Sequence, residues 1–551
     1  MSMLLALRQT LQKRGALSLI AACAFILRHL WFRWRRRPRG APTLDDNWLF
    51  GSLPHMFRAA RKYQMHDWFC TLHKRYGQTF EPISPFGFNF AGLITTNPKN
   101  VEHILLTNFD NYPKGFTIRM RFFDLLGNGI FNADGNQWHY QRKLTSHMFT
   151  AKLFKEHIWA VVQRNSRKVR NILEATDTNT PVDIFNLMNR FTLDTIGEIG
   201  FGKVIGSLED PSSPFLLSFD RAQQIVFMRF IVPWWLITRL LGVGLEKEAR
   251  EHLGRLDEYS RNVVRELQAA MLQNDAKTSG VSWADIEAKK SFVGLFVADA
   301  QKRGEEVSED YLRDLVLNFL IAGRDTTAQA LSWTLYCLCI HPSIEEKARQ
   351  EIIDVCGDEG PTYENINQLT YLQAILSESL RLYPSVPLDM KVAENDDIWP
   401  DGTYVPAGTE IAYNIYSMGR DTSIWGPDAE VFRPERWLEM KKAPSNFEYP
   451  VFNGGPRECL GRRLAQVEMK TCLATLLPRV SLKLAVPADR ITTGSQLTIA
   501  MGPCGLPCFV TAIAWDDNKA KSHSDRCLSE CSSTAGESEA AVTEEFDSSL
   551  D

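Results

Sequence analysis

The sequence predicts a mainly α protein with small β-sheets, an α+β fold built as one large domain. Helical periodicity dominates the 551 residues. Only three short runs, near 80–95, 400–415 and 480–515, alternate as strands do. From about residue 41 to 515 nothing resembles a linker, so the length is not that of a string of small modules. Apolar residues at 44% and charged residues at 23% are enough for a large core. A net charge of −4 excludes general nucleic-acid binding, which needs a basic footprint.

The chain begins with a basic, apolar head. Gly15–Leu27 is an apolar run of 13 residues, short of the ~20 that span a bilayer. Extended to Trp34 it reaches 20 residues and takes in Arg28, His29 and Arg33. Arginines near the end of a span snorkel, and Trp31 and Trp34 suit the interface. Residues 1–40 hold nine basic residues and no acidic one, six after the run against three before it. That asymmetry puts the body on the cytoplasmic side. A cleaved signal peptide or a soluble amphipathic helix are the competing readings. The arginine cluster disfavours translocation. The eleven cysteines, in no zinc-type pattern, read as free thiols of a reducing compartment. The expectation is a membrane anchor over 1–40, a catalytic body over 41–515 and a tail over 516–551.

Pro38-Arg39-Gly40-Ala41-Pro42 is a stiff hinge that cannot continue a helix. Asn128–Gly135 turns the chain, and Trp138 and Arg142, four apart, share a face of the helix that follows. A long helix is expected from about Ser308 to Ile340, where His341-Pro342 stops it. Its stretch Leu315–Ala322 is apolar apart from Asn318, which predicts deep burial. Ala322-Gly323-Arg324-Asp325-Thr326-Thr327 sits in its middle. Gly there costs ~1 kcal/mol relative to Ala. Thr hydroxyls bend a helix by bonding one turn back. The motif therefore marks a kink or a site. Thr370 with Gln373 reads as a capping box, and Glu378 and Arg381 share a face of that helix, which Tyr383-Pro384 closes. The tail holds ten acidic and three basic residues among Ser, Glu and Ala, a composition that predicts disorder.

The decisive segment is Phe452-Asn453-Gly454-Gly455-Pro456-Arg457-Glu458-Cys459-Leu460-Gly461. Two glycines and a proline bend a loop that delivers Cys459 to the start of a helix, with Leu460, Leu464, Val467 and Ala474 at helical spacing. Unpaired N–H groups at a helix start favour the thiolate, which binds soft metals and haem iron. Phe452, Gly455, Arg457, Cys459 and Gly461 match the F-x-x-G-x-R-x-C-x-G loop, so the sequence resembles the cytochrome P-450 family of haem-thiolate monooxygenases. The likeness covers roughly residues 45–515.

That resemblance implies the cytochrome P-450 fold and haem b. It makes Cys459 the axial iron ligand, with Gly455 and Gly461 letting the backbone approach haem and sulfur. Phe452 and Arg457 belong to the same cofactor loop. Ala322 and Gly323 become an oxygen-binding groove in the central helix, and Asp325 and Thr326 its proton relay. Trp138 and Arg142 are implied to reach a haem propionate. Glu378, Arg381 and Arg436 of Phe432–Trp437 are implied to form a buried structural charge network. Electrons are expected from NADPH through a separate reductase, NADPH-cytochrome P-450 reductase, with cytochrome b5 as a second candidate donor. The location implied is the endoplasmic reticulum membrane, with the body facing the cytosol.

Looser matches resemble the plant-type long-chain fatty-acid ω-hydroxylases: Phe319–Thr326 with Arg324 inside the motif, Trp399–Gly408, Tyr413–Arg420 and Gly129–Gly135. Val386, Leu388, Leu320 and Ile321 fall where the family lines its pocket. Lys114, Arg119 and Arg121, interleaved with Phe116, Phe122 and Phe123, fall where it places a mobile substrate loop. They read either as partners for a fatty-acid carboxylate or as a solvated basic loop. The alternatives in function are oxidation of another lipophilic substrate (an alkane, sterol or xenobiotic) and a haem-thiolate isomerase or dehydratase. Asp325 and Thr326 argue against the last, which needs no proton delivery to dioxygen.

Overall fold

The computed structural model describes residues 40–44, 52–82, 92–149, 157–211, 214–232, 234–275, 291–494 and 496–513. The expected anchor and the acidic tail lie outside the described residues. Among the described residues no helix is long and apolar enough to cross a membrane.

Strand β1 (Thr43–Leu44) leads to helices α1 (Leu53–Arg61) and α2 (Met65–Tyr76) and strands β2 (Thr79–Pro82) and β3 (Leu93–Thr95). Then come α3 (Gly115–Leu126), α4 (Gly135–Ser146), α5 (Trp159–Glu174), β4 (Val182–Asp183) and α6 (Ile184–Phe201). Helices α7 (Pro214–Ile231), α8 (Trp235–Leu241), α9 (Leu245–Asp275) and α10 (Phe292–Lys302) follow. The centre is α11 (Glu309–Leu320), a π-helical turn at Ile321–Asp325, and α12 (Thr326–Ile340). Helices α13 (Pro342–Cys356) and α14 (Thr370–Leu382) precede β5 (Asp389–Val392), β6 (Asp397–Ile398), β7 (Tyr404–Val405) and β8 (Glu410–Tyr413). The chain then forms α15 (Glu435–Glu439), α16 (Arg462–Leu476), β9 (Val480–Leu484) and β10 (Pro507–Ala512).

Strands β2, β3, β7, β8, β9 and β10 fall in or at the edge of the three alternating runs, whereas β1, β4, β5 and β6 lie outside them. One sheet has the order β1-β2-β3-β8-β5, with β3 parallel to β8 and β5 antiparallel to it. A second is β4-β10-β9, and β6 pairs with β7. The helices carry the mass of the fold, as the composition predicts.

Two cores fix the central helix from both ends. Leu331, Trp333, Leu335 and Leu338 of α12 join α5, α6, α14 and α16 in the larger cluster. Leu312, Leu315, Leu317 and Leu320 of α11 join α7 and α9 in the second. Each fully buried Leu contributes about 1.5–3 kcal/mol, so the polar turn between the two halves is held by apolar packing on either side. Ser308 starts the run as expected, its hydroxyl accepting the Tyr311 N–H at 3.2 Å.

The expected capping box on α14 is replaced by a tertiary cap. The Glu351 carboxylate of α13 accepts the N–H groups of Tyr371 (2.6 Å) and Leu372 (2.8 Å) and the Thr370 hydroxyl (3.2 Å). A full negative charge answers the helix end better than a neutral Gln amide would.

Glu378 and Arg381 are wholly buried on α14 and bond through both forks, each at 2.8 Å. Glu378 also accepts the Arg433 N–H at 2.9 Å, the Trp437 indole N–H at 2.9 Å and Arg436 Nε at 3.4 Å. Arg381 donates to the carbonyls of Gly419, Ala429 and Val431. Removing Glu378 or Arg381 leaves a buried charge unpaired, a loss of about 3–5 kcal/mol, and removing Arg436 strips donors from Glu378, Asp428 and the Trp425 carbonyl. Arg436→Ala is therefore expected to lower the thermal unfolding midpoint sharply, and Arg436→Lys to recover part of it. An unchanged midpoint for the alanine variant would refute the role of Arg436 in the network.

Candidate functional site

The loop before α16 closes on itself. The Cys459 N–H donates to the Phe452 carbonyl at 2.8 Å. Asn453 takes a positive φ of 63° and accepts the Gly454 N–H at 2.9 Å. Gly455 has φ +60°, and a Cβ there would lie 2.0 Å from the Leu105 carbonyl oxygen. Both the turn and the close approach demand glycine. At Gly461 an added Cβ would only touch the Cys459 sulfur at 3.8 Å, so the chain's own packing does not require that glycine.

Cys459 stands three residues ahead of Arg462, where α16 starts. It is therefore not in the first turn of the helix, as the sequence reading has it. It is surrounded by many neighbouring atoms, yet its side chain is exposed. Burial pushes its thiol up, while the Gly461 N–H and the Arg142 guanidinium pull it back. Burial outweighs the expected bias toward thiolate, and a bound cation would supply the difference.

Beside the loop lies a buried cationic cluster. Trp138 and Arg142 do share a face of α4, with the Arg142 guanidinium 5.8 Å from the indole centroid. Arg457 lies over the same ring at 4.4 Å. Arg142 donates to the Glu458 carbonyl at 2.8 Å, and Arg457 to Asp134 at 2.8 Å. Lys114 pairs with Asp389 at 2.6 Å, and the Tyr413 hydroxyl donates to the other oxygen of that carboxylate at 2.7 Å. Lys391 sits 3.5 Å from Asp389 with its side chain 1% exposed, and its ammonium has no hydrogen-bond partner. Burial drives the Lys391 amine well below its ordinary range, against the pull of Asp389. Arg457 Nε is also buried without a partner.

Lys114, Arg142, Arg457 and the Lys391 amine thus face two carboxylates, Asp134 and Asp389. Glu458 is answered by Arg462 at 2.9 Å. Two unpartnered cationic donors beside an open cysteine fit a ligand that carries a soft metal and two acid groups. These residues fit haem, whose propionates would take Lys391, Arg457 and Arg142.

The central turn is built separately. The π-turn leaves one extra residue in the helix. Thr326 Oγ1 donates back to the Ala322 carbonyl at 2.6 Å, and Ser385 Oγ donates to the Thr326 carbonyl at 2.6 Å. A Cβ at Gly323 would lie 2.4 Å from Ile196 of α6, so this glycine serves helix packing. Asp325 is buried and bonded to Arg324 at 2.9 Å. Burial raises its carboxyl to about 6, with Arg324 pulling it down and Asp220 pushing it up.

Other expectations change. The segment expected as a mobile basic loop is helix α3. Lys114 at its start and Arg121 within it are engaged with Asp389 and Glu410 (3.0 Å). Arg119 enters no ion pair among the described residues. Leu320 is fully buried in core packing, whereas Ile321, Val386 and Leu388 keep some exposure. Lys391 escapes the sequence reading. Its signal is a lysine two residues from Asp389 on one face of a strand whose neighbours are buried.

A family model described as Cytochrome P-450 matches residues 41–503. Cytochrome P-450 704C1 of Pinus taeda is 35% identical over 520 residues, covering 90% of this chain and 96% of the relative. Cytochrome P-450 86B1 of Arabidopsis thaliana is 33% identical, covering 88% and 87%. Cytochrome P-450 94C1 of the same plant is 36% identical, covering 81% and 89%.

Lys391→Met removes a buried amine that the protein alone leaves unsatisfied, so the fold should tolerate it. Loss of one charged hydrogen bond, about 1.5–3 kcal/mol, should weaken haem retention at least about tenfold. Haem transfer to a scavenger globin measures this. An unchanged transfer rate would separate Lys391 from the cofactor.

Proposed function

We propose that this chain, which belongs to the cytochrome P-450 family, hydroxylates long-chain fatty acids at the terminal (ω) carbon. The family's members are monooxygenases that hold haem through a cysteine thiolate. In this reading Cys459 would hold the haem iron. Trp138, Arg142, Arg457 and Lys391 would hold the propionates, with Asp389 beside Lys391. Ala322 would line the groove, with Gly323 letting α6 pack close to the turn, and Phe452, Gly455 and Gly461 would shape the loop around the sulfur. Thiolate-ligated haem supplies the electron push that favours O–O cleavage, so that one atom of O2 enters a C–H bond.

The chain's own residues then have three tasks. Asp325, with its carboxyl raised to about 6, holds an exchangeable proton near neutral pH. Thr326, tied to Ala322 through its own proton, keeps its lone pairs for a second donor. The substrate must be aligned, because terminal C–H bonds are the strongest in the chain and weaker in-chain positions must be denied. Ile321, Val386 and Leu388 offer apolar walls for the methyl end.

The observation that carries the substrate class is Arg119 of α3, the one of three basic residues there left without an ion pair among the described residues. It lies between the exposed rings of Phe116 and Phe123, a setting suited to a carboxylate on an apolar chain. The branch likeness of Phe319–Thr326 and Trp399–Gly408 supports the same class. NADPH-cytochrome P-450 reductase is the proposed electron donor, with cytochrome b5 as a second. The proposed location is the endoplasmic reticulum membrane. Trp234, Leu236, Ile237, Leu240 and Leu241, all exposed around α8, support contact of the body with lipid.

Cys459→Ser is expected to lose the red-shifted Soret band of the reduced carbon monoxide complex. A retained band would sink the ligand assignment. With a fatty-acid panel read by mass spectrometry, ω-alcohols should dominate, and free acids should outperform their methyl esters. Arg119→Gln should raise KM for the acid about tenfold, the worth of one charged hydrogen bond, with kcat little changed. Mainly in-chain products, or turnover of ring substrates alone, would rule the proposal out.

A further inference from the structure

We propose that Asp220, on α7, is a positioning residue for Asp325: the two carboxylates divide one guanidinium between them, and Asp220 thereby sets whether Asp325 holds a proton. The inference rests on the reading of Asp325 as the proton-carrying acid of the central turn.

Arg324 Nη1 donates to Asp220 Oδ1 at 2.7 Å and to Asp325 Oδ1 at 2.9 Å. The side chains of Arg324 and Asp325 are 2% exposed, and that of Asp220 is 41% exposed. The guanidinium lies 5.1 Å from the centroid of the buried Phe219 ring. Arginine does not give up its proton, so one buried positive charge stands before two acids. Asp220 reaches water, and Asp325 does not. A guanidinium shared with Asp220 compensates a buried carboxylate at Asp325 less than a whole one would, so the sharing favours the proton on Asp325.

The surroundings accommodate both forms of Asp325. Its Oδ2, Arg324 Nε and both amide atoms of Gln223 are buried without hydrogen-bond partners. Gln223 stands three residues after Asp220 on α7 and lies beside Asp325. Its amide nitrogen can donate to a carboxylate, and its amide oxygen can accept from a carboxylic acid.

The other charged groups on the packed elements are engaged elsewhere. On α6, Asp194 accepts the N–H groups of Ser207 and Leu208, Glu198 pairs with Arg164, and Arg190 donates to the carbonyls of Ser207 and Leu208. On α11, Asp314 pairs with Arg313, and Glu309 and Asp310 pair with Arg261 at the far end. Helix α12 contains no charged residue. Asp220 and Arg324 are therefore the charges that tune Asp325. Burial is the largest cause of its raised value near 6; Asp220 raises it further and Arg324 opposes both.

None of the residues named above for the cysteine loop or its cationic cluster comes from α7, so the control lies outside that site. A displacement of α7 that withdraws Asp220 hands Arg324 wholly to Asp325 and drives it to the carboxylate.

The test is an infrared pH titration of the substrate-free holoenzyme. The carbonyl band of protonated Asp325, assigned by its loss in Asp325→Asn, should titrate near pH 6. Asp220→Asn removes a like charge and frees Arg324, so the midpoint should fall by about one pH unit or more. Asp220→Ser should give the same shift, and Asp220→Glu should restore the native midpoint. An unmoved midpoint in either neutral variant, with a native haem spectrum, overturns the proposal. The pH profile of product formed per NADPH consumed should move to acid in parallel. A midpoint that falls while this profile stays fixed upholds the Asp220 linkage and refutes the catalytic reading of Asp325.

Discussion

A fully buried guanidinium must have its donors answered, and Arg381 meets that requirement in a way the cysteine side of the molecule depends on. Two of its contacts go to Glu378 on the same helix. The others go to the carbonyls of Gly419, Ala429 and Val431, in a stretch with little regular structure. Arg381 does there what a ladder does in a sheet: it saturates backbone groups that burial would otherwise orphan. Gly419 comes so close that a Cβ would overlap the Arg381 carbonyl. From the same segment Trp425 and Trp437 pack on Tyr449 with centroids at 5.9 and 4.9 Å, and the Tyr449 hydroxyl donates to the Ser377 carbonyl of α14. The loop carrying Cys459 leaves directly from Tyr449. Its position is thus inherited from a buried ion pair several elements away.

Buried cations are treated in opposite ways in two parts of the protein. Around Arg381 every contact is internal, and the cluster is closed. Around Lys391 the count is left open, with more positive than negative charge and two donors without partners. A protein interior tolerates the first as structure. The second costs free energy that a ligand would recover. That contrast sets Arg381 apart as structure and is the ground on which Lys391 is proposed to meet the cofactor.

Much of this was legible in the sequence, and the divisions are physical. The loop Phe452–Gly461 could be read because its constraints are local: turn, closure and helix start lie within ten residues. The central helix could be read because Leu315–Ala322 is too apolar to lie elsewhere than in a core. The network of Glu378 with Arg436 needed the family likeness, since a Glu and an Arg three apart are usually solvated. Lys391 escapes notice because its strand neighbour Asp389 is only part of its setting, and Lys114 and Arg457 arrive from two other places. The cap on α14 was misassigned for the same reason: Gln373 was near in sequence, but Glu351 of α13 was near in space. The basic segment after Pro113 is expected as a loop because the family likeness places a mobile substrate loop there. Asp389 and Glu410, far along the chain, supply partners for Lys114 and Arg121 and let the segment fold as a helix.

The π-turn at Ile321–Asp325 has a consequence for how this chain tolerates insertions and deletions. One residue more than an α-helix needs is stored there, so the faces of α11 and α12 are offset by about 100° relative to an unbroken helix. Loss of one residue between 321 and 325 would let the turn relax to regular helix, and the missing residue would cancel the offset it had caused. Side chains from Thr326 onward would keep their faces, among them Trp333, which stacks on Tyr383 with centroids 4.3 Å apart. A deletion elsewhere in α11 or α12 has no such reserve and would turn everything beyond it by about 100°. The turn therefore confines a change of length that the rest of the helix would pass on to its core.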